Sequence, residues 1–155
     1  SPSLHTALAY FIDDHQTLQP ALEALESSIV AQTMPSAALL QHLADHMSEH
    51  FGLEETVLFP AVPFVPSAVL LTAEHDDLWQ LWDDMQTACR SNDADWPTTV
   101  RAYADRMQSH IHEENACLLP SCERDMTGGA KTALLRQLER FRQRGGWSRR
   151  PALPR

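Results

Sequence analysis

Cysteine, glycine and uninterrupted apolar sequence are all in short supply, and each shortage removes a class of protein. The three cysteines, Cys89, Cys117 and Cys122, are odd in number and form no CxxC pair. A disulfide framework is therefore not expected, and a reducing compartment, the cytoplasm, is the expected location. The longest apolar stretch, residues 59–73, is interrupted by Pro60, Pro63 and Pro66. It cannot span a bilayer, so no membrane association is expected. No leader-like segment is recognised at the start. Basic residues are scarce over most of the length. Up to Glu123 there are 19 acids against Arg90, Arg101 and Arg106, a net −16; from Arg124 onward nine bases outnumber Asp125 and Glu139, a net +7. The expected organisation is an acidic folded body, residues 1–123, and a basic C-terminal extension, residues 124–155.

What is present fits one helical domain. The chain has 155 residues, 43% hydrophobic, with five glycines, long enough to bury a core. It also repeats itself. The stretch "HFGLEETVLFP" (50–60) returns as "HIHEENACLLP" (110–120). Moving the sequence by sixty residues also brings His15 onto His75. Two copies of one helix pair are the simplest reading.

Apolar residues at steps of three and four mark four helices. The first follows Leu4, Leu8, Phe11, His15, Leu18, Leu22, Leu25 and Ile29; the second, Leu40, Leu43, Met47, His50, Glu54 and Val57. The third follows Leu71, His75, Leu78, Trp82, Met85 and Cys89; the fourth, Val100, Tyr103, Met107, His110, Glu114 and Cys117. "TMPS", "PAVPFVP" and "SNDADWP" separate them, with Asp95 a candidate cap before Pro97. Pro20 lies off the apolar stripe of the first helix, where a kink is expected. The fold class predicted is all-α: an up-down-up-down four-helix bundle with an additional short C-terminal helix through Leu134, Leu135, Leu138 and Phe141.

The polar residues on these stripes carry the chemistry. His15, His50, Glu54, His75, His110 and Glu114 all take inward positions. A single inward histidine is ordinarily a hydrogen-bonded core residue. Six ionisable groups in one layer would each cost on the order of 1–3 kcal/mol or more if uncompensated. A metal supplies the compensation, and imidazole with carboxylate suits iron, zinc or manganese.

The order H…HxxxE…H…HxxxE, with "DDH" at 13–15 and "EHDDLW" at 74–79, resembles the hemerythrin-like (HHE cation-binding) family over about residues 4–120. The resemblance implies a non-haem di-iron centre, two Fe ions joined by an oxo or hydroxo bridge, with Zn or Mn as possible substitutes. Glu54 and Glu114 would bridge the ions, and His15, His50, His75 and His110 would be terminal ligands. Oxygen-carrying members have a further histidine one turn along the third helix, where this chain has Trp79. Two irons wanting about six ligands each then keep about one open place apiece. The expected partners are O2, NO or peroxide, for binding, sensing or scavenging. Iron–sulfur centre repair and iron storage or donation are the alternative, and whether the chain is an enzyme stays open.

Other residues have bland and functional readings side by side. His42 and His46 precede His50 by two turns and one, as solvated residues or as partners behind the ligands. Asp14 and Glu74 directly precede His15 and His75, and are better placed to serve a neighbouring helix than their own. Cys117 and Tyr103 read as inward packing residues. The basic tail reads as a helix packed on the acidic body, and no nucleic acid is expected to bind it.

Overall fold

The computed structural model describes residues 4–62 and 65–144, with side chains from residue 8 to 62 and from 68 to 144. The described residues are helical or in short turns, with no strand among them. Helix α1 spans Leu4–Ala31, α2 Ala37–Leu53, α3 Val65–Arg90, α4 Trp96–Glu113 and α5 Gly128–Gln143. Helix α1 packs on α2 and α4, and α3 packs on α2 and α4. The first four helices thus close a ring in which sequence neighbours are antiparallel, the bundle arrangement that short connections impose. Helix α1 continues through Pro20. No described helix is long and apolar enough to cross a membrane.

The repeat extends into the turns. Gln32 and Asn92, sixty residues apart, both have φ of 52°. Behind them Thr33 N–H reaches the Ser28 carbonyl (3.0 Å) and Asp93 N–H the Ala88 carbonyl (2.9 Å). This is a left-handed helix stop, which closes the last carbonyls of α1 and α3 alike. The helix starts differ. Ser36 caps α2 by accepting the Leu39 N–H, whereas Asp95 makes no side-chain cap on α4. The capping role read for Asp95 is therefore not taken up; the Asp93 carboxylate instead accepts the Asp95 N–H (2.8 Å) and shapes the turn.

Neither α2 nor α4 ends at its carboxylate. Each widens into a π turn, Glu54–Leu58 and Glu114–Leu118, and resumes as α over Phe59–Ala61 and Leu119–Asp125. In both, the Glu carbonyl accepts the N–H five residues on, from Phe59 or Leu119. Pro60 and Pro120 follow directly. A proline has no N–H to give, and its ring crowds the carbonyl four residues back, so the helical ladder yields ahead of it. The widening also moves the inward phase on by one residue. Leu118 takes the buried seat and Cys117 is exposed, against its expected inward place. Its repeat counterpart Val57 is buried because α5 packs over the first π turn.

The core is in two clusters. One holds Leu18, Leu22, Leu25, Leu43, Met47, Trp82, Met85, Tyr103 and Met107. The other holds Leu8, Phe11, Leu53, Leu58, Leu71 and Leu118, joined by Leu134, Leu135, Leu138 and Phe141 of α5. The predicted apolar stripe of α5 is thus fully used. The inward place expected for Leu4 lies outside the described side chains, and residues 145–155 of the basic extension lie outside the described residues. Because Phe141 and Leu138 are buried in this second cluster, Phe141→Ala should cost about 3–5 kcal/mol and Leu138→Ala about 2–5. The check is the urea midpoint, which should fall with the slope of the transition unchanged.

Candidate metal centre

Between the two apolar clusters lies a polar layer. Its members are the buried polar side chains His15, His50, Glu54, His75, His110 and Glu114, each no more than 3% exposed. All six sequence-predicted residues come together there. They fall into two groups whose donor atoms lie within 4.8 Å of one another: His15, His50 and Glu114, and Glu54, His75, His110 and Glu114.

The carboxylates lie between the histidines. Glu114 sets Oε1 2.8 Å from His15 Nε2 and 3.7 Å from His50 Nε2, and Oε2 3.3 Å from His110 Nε2. Glu54 Oε1 is 3.1 Å from His75 Nε2 and 3.4 Å from His50 Nε2. All four imidazoles therefore aim Nε2 at the two glutamates.

Each imidazole is held from behind through Nδ1. His50 donates to Asp14 (3.2 Å), His110 to Glu74 (2.8 Å), His75 to Glu55 (2.7 Å) and His15 to Asn115 Oδ1 (2.8 Å). A donating Nδ1–H leaves the Nε2 lone pair free to bind. The repeat governs these contacts too: Asp14 corresponds to Glu74, and Glu55 to Asn115. Asp14 and Glu74 serve neighbouring helices, as their positions implied. Glu55 and Asn115 were not singled out from sequence, although each directly follows a repeat glutamate. The π turn is what carries that next residue toward the histidine of another helix.

The six groups of the layer set one another's charge states. Burial raises the Glu54 carboxyl well above its ordinary range, and the nearby Glu114 charge adds to this. Burial opposes ionisation of Glu114 as well, but its close contacts with Glu54, His110 and His15 hold it well below its ordinary range. Burial alone would depress His110; Glu114 and Glu74 overcome it and lift the imidazole to about 9. His75 is lowered, chiefly by burial. Glu54 Oε1, His75 Nε2, His110 Nε2 and Glu114 Oε2 are buried without a hydrogen-bond partner. Such orphaned atoms are rare in native cores. Four of them facing one point, all oxygen or imidazole nitrogen, fit a cation such as iron, zinc or manganese.

The surroundings are apolar and aromatic. Phe51 stacks on His75 at 3.8 Å, Phe59 stacks on its ring at 5.7 Å, and Phe11 meets His50 edge-on at 6.1 Å. Trp79 lies against Phe51 and is 6% exposed. His42 is exposed. His46 donates to the Asp14 carbonyl (2.9 Å) and stacks on His50 (5.4 Å), and burial and the neighbouring His50 push it down to about 4. Tyr103 packs inward, with its hydroxyl on Met47 Sδ at 3.3 Å.

The sequence profile of the hemerythrin HHE cation-binding domain matches residues 6–122. The chain belongs to this family. It is a metal-cation-binding protein, and the matched span takes in all six residues of the polar layer and both π turns. No curated protein sequence matches the chain.

The titration of the site dictates how a cation enters. The surroundings favour a proton on His110 up to about pH 9, and favour one on Glu54 above its ordinary range. A cation held by His110 and Glu54 would bind their deprotonated forms, so its uptake would expel these protons. Affinity for a divalent cation should rise with pH up to about 9. At pH 7 the binding heat should differ between buffers of different ionisation enthalpy, and a buffer-independent heat would contradict the assignment.

Proposed function

We propose that this chain is a non-haem di-iron protein that binds or senses O2 or NO, or scavenges reactive oxygen and nitrogen species. His15 and His50 would serve one iron, His75 and His110 the other, and Glu54 and Glu114 both. The observation that carries this reading is the convergence of buried nitrogen and oxygen donors in two adjoining groups that share Glu114, four of the donors in one group lacking a hydrogen-bond partner. Two irons would supply reversible one-electron chemistry and open places for a small ligand.

The chain's own residues do the rest. Asp14, Glu55, Glu74 and Asn115 fix the tautomer and ring orientation of the four histidines. Glu114, with its two oxygens turned to different histidines, ties the two positions together. Phe11, Phe51 and Phe59 wall the layer off from water. A reactant must cross that wall to donors no more than 3% exposed, which selects small uncharged molecules over charged or bulky substrates. Trp79, buried on Phe51, occupies the place where a fifth imidazole would stand. Two imidazoles per iron leave room for such a ligand.

Purified protein should hold two irons per chain, with an optical spectrum that changes on addition of dithionite and then of NO. Glu114 turns its two oxygens to different histidines, His15 and His110, whereas Glu54 meets His50 and His75 through the one oxygen Oε1. Glu114→Ala should therefore lose more iron than Glu54→Ala, which should lose at least one. A single tightly held zinc, with occupancy unmoved by either substitution, would sink the assignment.

A further inference from the structure

The sixty-residue repeat relates the two halves of the layer down to the partner behind each imidazole. Two departures stand out, and both lie behind the same pair of histidines. His75 Nδ1 faces the Glu55 carboxylate at 2.7 Å, whereas its counterpart His15 faces the Asn115 amide oxygen at 2.8 Å. His110 faces Glu74 at 2.8 Å, whereas its counterpart His50 faces Asp14 at the longer 3.2 Å. Asp14 is also engaged by Arg142 of α5, whose Nη2 is 3.2 Å from Oδ1 and 3.4 Å from Oδ2. Arg142 is anchored for this. Its Nη1 lies 3.4 Å from Glu49, and its guanidinium sits 5.0 Å over the Tyr10 ring.

A carboxylate behind an imidazole draws on the Nδ1 proton and makes the ring a more basic donor. A neutral amide does so less, and a carboxylate shared with a guanidinium gives part of its charge away. His15 and His50 each have one of these weakened partners. We propose that the two metal positions are built unequal: Asn115 and Arg142 act as positioning residues that make His15 and His50 the poorer donors. The His75–His110 position then favours the higher oxidation state. This rests on the two-iron reading above. One electron from an electrode, added to two ferric ions, goes to the His15–His50 position and leaves the other ferric; a second electron makes both ferrous.

The test uses the full, iron-loaded chain, with iron content measured first in every variant. Asn115→Glu restores the repeat carboxylate at an exposed position, and Glu55→Gln copies the amide into the other half at constant size. Arg142→Gln frees Asp14, and Arg142→Lys keeps the charge. The reduction potentials of the two steps, and the paramagnetic signal of the half-reduced pair, are followed through a redox titration. The constant for forming the half-reduced pair should fall on the order of tenfold in Asn115→Glu and in Glu55→Gln, taking as the scale the effect that partners behind ligating histidines have on metal affinity. Asn115→Glu should act by lowering the upper potential, and Glu55→Gln by raising the lower one; a general loosening would move both steps together. Arg142→Gln should lower the upper potential by less, and Arg142→Lys should stay near the parent. Two irons with an unchanged constant in both symmetrising variants would overturn the inference and leave the two-iron reading standing. Fewer than two irons in the parent chain would overturn both.

Discussion

Everything in this fold answers to one constraint: a layer of six ionisable side chains sits in the middle of an apolar four-helix core. Water cannot reach it, so each polar atom needs a partner from the protein or a bound cation. The protein settles the outer face of the layer by itself, giving every Nδ1 an oxygen from another helix. It leaves several inner atoms unsatisfied. That division, complete outside and incomplete inside, separates a metal site from a merely tolerated buried polar network.

The π turns are the backbone's share of the same solution. A regular α-helix through Glu54 could present one residue to the layer and would turn the next one aside. With one residue of widening, Glu54 faces inward and Glu55 still reaches His75; in the other half Glu114 and Asn115 do the same for His110 and His15. The prolines at 60 and 120 break the regular ladder where this is needed. The π turn and the site geometry are thus one feature of sequence, repeated.

This bears on what the sequence could disclose. The inward seats of all six polar residues were legible because the three-four spacing runs unbroken through α1 to α4 up to each glutamate. Beyond Glu114 it misleads: the spacing puts Cys117 inward, since helical periodicity has no sign for an extra residue in the turn, whereas Val57 beyond Glu54 is buried. Asp14 and Glu74 could be suspected from adjacency and repeat. Glu55 and Asn115 could have been found by asking which residues recur sixty apart beside the ligands, although their different chemistry hid them. Arg142 had no such signal. It belongs to the part of the chain outside the repeat, and only tertiary packing brings it to Asp14.

The C-terminal helix consequently plays two roles that composition alone would merge. Its apolar face completes the second core cluster with Leu134, Leu138 and Phe141. Its basic face is not a diffuse counterweight to an acidic body, because one arginine is held by Glu49, Tyr10 and Asp14 together. Exposed ion pairs contribute little to stability one by one. The weight of Arg142 lies elsewhere, in which carboxylate it shares. A duplicated helix pair generates two equal halves by default, and equality is what a helix docked on one half removes. Val57 buried beneath α5, with Cys117 exposed in the corresponding place, records the same one-sidedness in the packing. One departure from equality therefore comes from outside the repeat, where Arg142 meets Asp14 behind His50; the other, Asn115 in the place of Glu55, lies within it.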